Sequence, residues 1–191
     1  MLHDKVVAVQ SFALRFYLLC FRKGVFSLRL TSIGAGNMAT AILRSVISSG
    51  RIKAADITVY DIKTEKYPAF AELGVNCADT VDAAVNASEV ILLAVKPQDY
   101  ETVLNGIKNT VAGQKKVFIS IAAAISTAYI CKTLEADFPV VRVMPNTPLL
   151  IGCGATAISR NSAVDDRLYT KICGLFAASG SVVSLPEEQM N

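Results

Sequence analysis

A short run of small residues, Gly34-Ala35-Gly36-Asn37-Met38-Ala39, has the spacing G-x-G-x-x-A. This spacing is typical of a turn between a strand and a helix that holds a pyrophosphate. Gly34 would permit the tight turn, Gly36 would let the backbone approach the phosphates, and Ala39 would let the helix pack closely on the strand. The helix would then offer its N-terminal N–H groups and the positive end of its dipole. The alternative is an ordinary structural turn, because glycine pairs also mark turns that bind nothing.

Asp61 directly follows a second apolar segment, residues 57–60. A residue at that place normally faces the adenosine ribose of a bound dinucleotide. Its carboxylate would accept hydrogen bonds from both ribose hydroxyls, which favours NAD, and it would repel a 2′-phosphate. Lys63, Thr64 and Lys66 follow at once and could hold that phosphate, which favours NADP. For the two lysines, a solvated loop of mixed charge is the alternative.

The segments that carry these residues alternate between strand and helix patterns. Apolar runs predict strands at residues 25–33, 57–60, 75–77, 90–95, 117–121, 140–144, 155–159 and 182–185. Periodicity and end signals predict helices at residues 37–49, 65–73, 100–107, 127–134 and 164–178. Residues 90–95 are continuously apolar, as expected of a parallel strand covered on both faces. The alternation predicts an α/β fold with a doubly wound, mainly parallel sheet and helices on both faces.

The composition argues against several classes of function. Hydrophobic residues make up 52% of the chain and charged residues only 18%, which suggests surface hidden in an oligomer or against another domain. The net charge of +3 comes from residues 1–30, where five basic residues face one acidic residue. The remaining 14 basic and 15 acidic residues nearly cancel. No nucleic acid is therefore expected as a partner.

The cysteines, the histidine and the N-terminal segment indicate a cytoplasmic protein without a metal site. The five cysteines form no CxxC pair, and the single histidine is His3. The apolar residues 6–21 are interrupted by Gln10 and Arg15 and are too few for a membrane span. Residues 1–24 are interpreted as an atypical extension, with an organelle-targeting helix as the alternative.

Three further motifs follow the predicted strands in a fixed order. They are Ala94-Val95-Lys96-Pro97, Ser120-Ile121-Ala122-Ala123-Ala124, and Arg142-Val143-Met144-Pro145-Asn146-Thr147-Pro148, which leads into Gly152-Cys153-Gly154-Ala155-Thr156. Together with the glycine-rich turn, this series resembles that of the pyrroline-5-carboxylate reductase family over about residues 28–185. The MPNTP element at residues 144–148 discriminates most, since a generic dinucleotide-binding domain has no reason to carry it.

The resemblance implies a Rossmann-type NAD(P)-binding domain at residues 25–185 and NAD(P)H-dependent reduction of 1-pyrroline-5-carboxylate to L-proline. It favours NADP slightly over NAD and implies a homo-oligomer for full-length members. The cofactor carries the hydride chemistry, so no catalytic side chain is assigned. By the same resemblance, the pyrophosphate would be held by Ile33, Gly34, Ala35, Gly36, Asn37 and Met38, and the ribose by Asp61. The cofactor's path would be lined by Ala94, Val95, Lys96, Pro97, Ile121, Ala122 and Ala123. The nicotinamide would lie near Asn146 and Thr147.

The chain also departs from the family. Ala124 stands where the family usually has glycine, and Thr31 and Ser32 replace the small and apolar residues expected in the first strand. The family's C-terminal helical domain, with its proline-binding residues and dimer interface, is missing. Residues 186–191 are therefore interpreted as a stub of that domain, and the chain alone is expected to form little or no proline. The alternatives are a non-catalytic dinucleotide-binding module or another reductase, such as a hydroxyacid or prephenate dehydrogenase.

Overall fold

The computed structural model describes residues 28–151 and 153–190, which form one layered α/β unit. The strands are β1 (Leu30–Ile33), β2 (Ile57–Tyr60), β3 (Asn76–Cys77), β4 (Val90–Leu93), β5 (Val117–Ser120), β6 (Val140–Pro145), β7 (Gly154–Arg160) and β8 (Gly180–Ser184). The α-helices are α1 (Asn37–Ser48), α2 (Tyr67–Ala71), α3 (Val81–Asn86), α4 (Tyr100–Val111), α5 (Thr127–Leu134) and α6 (Asp166–Phe176). The predicted extension at residues 1–24, and residues 25–27 of the first predicted strand, lie outside the described residues.

The eight strands form a single sheet in the order β3-β2-β1-β4-β5-β6-β7-β8. Strands β1 to β6 are parallel, β7 is antiparallel to β6, and β8 is parallel to β7. The predicted α/β fold with a mainly parallel sheet is confirmed. The strand order reverses between β1 and β4, and ligands of such sheets bind at the carboxyl ends of the strands beside this point.

Two separate cores cover the two faces of the sheet. One core packs α1 and α6 against alternate strand residues such as Leu92 and Val141. The other packs α3, α4 and α5 against the opposite face, including Leu93 and Val140. All four residues of β4 are at most 1% exposed, as its continuously apolar sequence predicts. The doubly wound arrangement with helices on both faces is therefore confirmed.

The two hydroxyl residues of β1 are compatible with a buried strand because both hydroxyl groups are hydrogen-bonded. Thr31 Oγ1 donates to the Ala84 carbonyl at the α3 side of the sheet, at 2.6 Å. Ser32 Oγ donates to the Gly34 carbonyl at 2.8 Å. A buried hydroxyl costs little once it is bonded, so the departure from the expected apolar pattern leaves the strand intact.

Some helix boundaries differ from the predictions. Helix α3 was not predicted, because it has only six residues; it is capped by Thr80 Oγ1, which accepts from Ala83 N at 3.2 Å. The predicted helix at residues 65–73 divides into a 3₁₀ turn, Thr64–Lys66, and the five-residue α2. No helix within the described ranges is long and apolar enough to cross a membrane.

The last described residues pack onto the sheet through an ion pair between the half-buried Glu187 and the buried Arg142. Glu187 accepts hydrogen bonds from Thr127 N at 2.8 Å and from Thr127 Oγ1 at 2.7 Å, at the start of α5. Arg142 of β6 is 1% exposed; its Nη1 lies 3.6 Å from Glu187 Oε1 and its Nη2 donates to the Met190 carbonyl at 3.1 Å. Met190 is itself buried. Residues 186–190 are therefore anchored on the domain, and their assignment to a second domain remains a prediction.

Candidate functional site

Gly34 lies where β1 passes closest to β4 at the carboxyl edge of the sheet. Its φ of +107° is a conformation that residues with a side chain rarely adopt, and a Cβ atom there would lie 2.6 Å from the Ala94 carbonyl oxygen. Its backbone nitrogen donates to the Tyr60 carbonyl at the end of β2, at 2.8 Å. Gly34 therefore contacts both the end of β2 and the end of β4 at this edge of the sheet.

Gly36 is exposed, and a Cβ atom built on it would meet nothing within 4 Å. It is the N-cap of α1, and no side chain caps this helix. Helices α2 and α4 also lack a side-chain cap, whereas Thr80, Ser126 and Asp165 cap α3, α5 and α6. The first N–H groups of α1 thus face a space in which an anion can accept hydrogen bonds.

The predicted pyrophosphate residues divide into a buried and an exposed group. Ile33, Gly34 and Ala35 are buried, so only their backbone could take part, whereas Gly36 and Asn37 are exposed and Met38 is half-buried. Ala39 is 1% exposed, as the small third position of the motif predicts. The accessible part of the turn is therefore Gly36 to Met38.

The carboxylate of Asp61 points toward the glycine turn. Its Oδ2 accepts from Ala35 N at 2.6 Å and its Oδ1 accepts from Lys63 N at 2.9 Å. Asp61 N donates to the hydroxyl of Tyr67 at 3.0 Å, and this hydroxyl donates to the Ala78 carbonyl at 3.1 Å. Burial raises the pKa of Tyr67 above its ordinary value. The segment after β2 is thereby tied to the turn after β1.

Two lysines bring positive charge to the same corner. Lys66 Nζ donates to Asn37 Oδ1 at 2.9 Å, which places an ammonium group at the first residue of α1. Lys63 is exposed on the turn that follows Asp61. Together with the N-terminus of α1 they form a cationic corner that suits phosphate groups.

The remaining predicted residues follow β4, β5 and β6 at the same edge. Ala94 and Val95 are half-buried, and Lys96 and Pro97 are exposed where the 3₁₀ turn Pro97–Asp99 begins. After β5, Ile121 is half-buried, Ala122 is buried and Ala123 is exposed. Ala124 has a φ of +62°, a left-handed conformation that explains why a glycine suits this position.

Asn146 and Thr147 lie exposed after β6, where the motif predicts them. Asn146 Oδ1 accepts from Ala155 N at 2.9 Å, so it links the MPNTP segment to the start of β7. Between β1 and β6 lie β4 and β5, hence the glycine turn and Asn146 are separated by three strand spacings, about 14 Å. A single ligand that touches both must be long and must lie across the edge.

The hydroxyl of Tyr100 links the ends of β4 and β5 at this edge. Its hydroxyl is within 2.9 Å of the Leu93 carbonyl at the end of β4 and within 2.9 Å of Ser120 Oγ at the end of β5. Burial raises the pKa of Tyr100 to about 12. The neutral phenol therefore joins the ends of two strands that carry predicted site residues.

Sequence reasoning missed the hydroxyl of Tyr67, which fixes the turn after β2 by accepting from Asp61 N. The signal for the turn was present, because an aspartate just after a strand often bonds the N–H two residues later. No sequence signal indicated the bond from Asp61 to Ala35.

Known proteins are similar to this chain over the region that contains these strands and turns. The family model described as NADP oxidoreductase coenzyme F420-dependent matches residues 29–124. A pyrroline-5-carboxylate reductase from Staphylococcus epidermidis is 34% identical over 166 residues, which are 86% of this chain and 61% of that protein. The resemblance predicted from the motifs is confirmed.

Two solved structures are similar over the same region. A pyrroline-5-carboxylate reductase from Coxiella burnetii matches with a TM-score of 0.80 at 30% identity, over 84% of this chain and 59% of that one. A pyrroline carboxylate reductase from Plasmodium falciparum, solved with NADP bound, matches with a TM-score of 0.78 at 24% identity, over 87% and 61% of the two chains, and supports the fold alone. This chain spans about three fifths of the length of these relatives.

Proposed function

Because this chain belongs to the family described as NADP oxidoreductase coenzyme F420-dependent, we propose that it is the NAD(P)-binding domain of a reductase. The reaction that we assign to the whole enzyme is reduction of the C=N bond of 1-pyrroline-5-carboxylate to L-proline. This assignment rests on the similarity to pyrroline-5-carboxylate reductases and on the order of the four motifs along the chain.

The observation that carries the proposal is the open space at the N-terminus of α1. Gly36 leaves room for a ligand, and α1 has no capping side chain of its own. The pyrophosphate of a dinucleotide fits this position, since the N–H groups of residues 36–38 and the helix dipole stabilise its charge.

The other residues at the edge would orient the rest of the cofactor. Lys66 and Lys63 would meet a 2′-phosphate on the adenosine ribose, which favours NADPH, and Asp61 would border that ribose. Ala94 to Pro97 and Ile121 to Ala123 would line the path toward Asn146 and Thr147, where the nicotinamide would lie. The cofactor supplies the hydride, so the chain's own groups bind and orient it and exclude water around the reacting carbon.

Calorimetric titration with NADPH tests the cofactor site. A Gly36→Val variant should keep the fold, because its Cβ meets no protein atom, and should lose at least about 100-fold in affinity, on the order of 3 kcal/mol. The control is Gly106→Val, since Gly106 is also exposed with nothing within 4 Å of its Cβ position, but lies in α4. Equal affinity in both variants would exclude this site.

A fusion tests the substrate assignment. The C-terminal part of the Staphylococcus epidermidis relative would be joined after Met190, which is buried and bonded to Arg142. We expect the fusion to oxidise NADPH when 1-pyrroline-5-carboxylate is added, and the same fusion with Gly36→Val not to do so. A folded fusion that binds NADPH without turnover would contradict the substrate while leaving the cofactor site intact.

A further inference from the structure

The hydroxyl of Tyr100 lies at the point where the pairing of β4 with β5 ends. Tyr100 is the first residue of α4, directly after the turn that follows β4, and it is 1% exposed. The bond from Ile121 N to the Leu93 carbonyl comes just beyond the last paired residues of the two strands and is 3.3 Å long. The phenol donates to the same carbonyl at 2.9 Å. It therefore adds a shorter bond at the end of the ladder.

The same hydroxyl also contacts β5. Its oxygen lies 2.9 Å from Oγ of the fully buried Ser120. Because the phenol proton is directed to Leu93, Ser120 Oγ donates this second bond. Burial raises the pKa of Tyr100 to about 12, against the opposing effect of Ser120 and of the backbone N–H groups of Ile121 and Ala122 near the phenol oxygen. One phenol thus touches the end of β4 and the segment that leaves β5.

The two segments that this phenol joins lie on the proposed path of the cofactor. They are residues 94–97 after β4 and residues 121–123 after β5. The strand order places β4 and β5 between the glycine turn after β1 and Asn146 after β6. A dinucleotide with its pyrophosphate at α1 and its nicotinamide near Asn146 must therefore cross both segments. Its adenosine half, which lies toward β2, crosses neither.

We propose that Tyr100 is a positioning residue for the nicotinamide half of the bound dinucleotide. This inference rests on the proposed function, and Tyr100 belongs to none of the motifs. Because its side chain is buried, Tyr100 acts through residues 94–97 and 121–123 and not by touching the ligand. Its hydroxyl fixes the spacing of these two segments, so the nicotinamide half meets a surface that needs no ordering on binding.

The test compares a full dinucleotide with a ligand that ends at the pyrophosphate. The 191-residue chain is titrated with NADPH by calorimetry and with ADP, which lacks the nicotinamide half, by NMR. Tyr100→Phe removes only the hydroxyl, so it should weaken NADPH about tenfold, which corresponds to about 1.4 kcal/mol, and leave ADP unchanged. Ser120→Ala should weaken NADPH by a smaller factor, since the bond to Leu93 remains. The double variant should lose no more than Tyr100→Phe, because the two hydroxyls share one contact.

Thr31→Val is the matched control for loss of a buried hydroxyl. Thr31 lies in β1, is fully buried, and donates to the Ala84 carbonyl on the α3 side of the sheet at 2.6 Å. Its bond therefore joins no two segments of the cofactor path. Thr31→Val should lower the midpoint of urea unfolding, as Tyr100→Phe does, and should leave the affinities for NADPH and ADP unchanged.

The outcomes separate this inference from the proposed function. If the unaltered chain binds no NADPH, the proposed function fails and this inference fails with it. If the chain binds NADPH and Tyr100→Phe binds it equally well, only the positioning role is overturned. An equal loss of NADPH and ADP affinity in Tyr100→Phe, or a loss of the same size in Thr31→Val, would also overturn it. The hydroxyl would then act through the overall stability of the fold.

Discussion

Asp61 combines a structural bond with a charge effect. Its carboxylate lies 2.6 Å from Ala35 N and 2.9 Å from Lys63 N, so it holds the glycine turn and the turn after β2 together. Both bonds place a negative charge beside the corner that Lys66 makes positive. The carboxylate can stabilise the site's shape and still oppose a 2′-phosphate.

Replacing Asp61 should change the choice between NADPH and NADH. Asp61→Ser removes the charge, so the ratio of affinities should shift toward NADPH by on the order of tenfold, about 1.4 kcal/mol. Asp61→Asn is the matched variant, because it removes the same charge but keeps the length and one acceptor oxygen. It should show the same shift with less loss of total affinity. Calorimetry with both cofactors measures this, and an unchanged ratio in both variants would place the charge out of reach of the 2′-position.

Ala124 carries a backbone conformation that suits glycine. With φ at +62°, its Cβ costs about 1 kcal/mol, so Ala124→Gly should raise the free energy of unfolding by about that amount. The control is Ala123→Gly, where φ is not positive and glycine should be neutral or destabilising by up to about 1 kcal/mol. Urea unfolding distinguishes the two. Equal effects at both positions would contradict the left-handed conformation.

At the scale of elements, the segment at residues 186–190 ties the end of β8 to α5. Glu187→Ala should lower the free energy of unfolding by about 2 kcal/mol, because Thr127 loses two hydrogen bonds and the buried Arg142 loses a carboxylate partner. Glu188, exposed in the same 3₁₀ turn, is the matched control, and Glu188→Ala should change stability by less than about 0.5 kcal/mol. Comparable losses would show that the carboxylate of Glu187 contributes nothing specific.

The elements themselves were largely predictable because their patterns are local. A run such as Val90–Leu93 is apolar throughout, and a doubly covered parallel strand requires that pattern. The short α3 was missed because six residues carry less than two turns of periodicity. The contact of Glu187 with Thr127 joins residues 60 positions apart, and no local pattern encodes it.

The same distinction applies to the candidate site. The motifs predicted which strand ends would carry it, since parallel strands bring their carboxyl ends to one edge. The motifs did not predict which of these side chains would be hydrogen-bonded to the protein's own backbone. The carboxylate of Asp61 and the side-chain oxygen of Asn146 both accept backbone N–H bonds, and these bonds become visible only once the loops are placed.

At the scale of the whole molecule, two buried tyrosines couple stability to alkaline pH. Burial raises the pKa of Tyr100 and of Tyr169 to about 12, from a usual value of 10.0. A raised pKa means that the folded state favours the neutral phenol. The stabilisation is complete below pH 10 and is lost as the pH rises toward 12.

The unfolding midpoint in urea should therefore fall between pH 8 and pH 11, with Tyr100 contributing on the order of 1 kcal/mol. Tyr100→Phe should be less stable at pH 8, since its bonds to Leu93 and Ser120 are lost, yet should show a smaller fall by pH 11. Tyr129→Phe is the control, because Tyr129 is 36% exposed. An identical fall in all three proteins would exclude Tyr100 as a source of the pH dependence.

Backbone amide NMR during an NADPH titration tests the central claim most directly. The amide signals of Gly36, Asn37 and Met38 should shift with increasing NADPH, because these N–H groups would bond the pyrophosphate at the uncapped start of α1. The signal of Gly106, in α4, should stay in place. Saturable shifts at residues 36–38 would support a dinucleotide site at this edge of the sheet. Binding that leaves those three signals unmoved, or no binding, would contradict it.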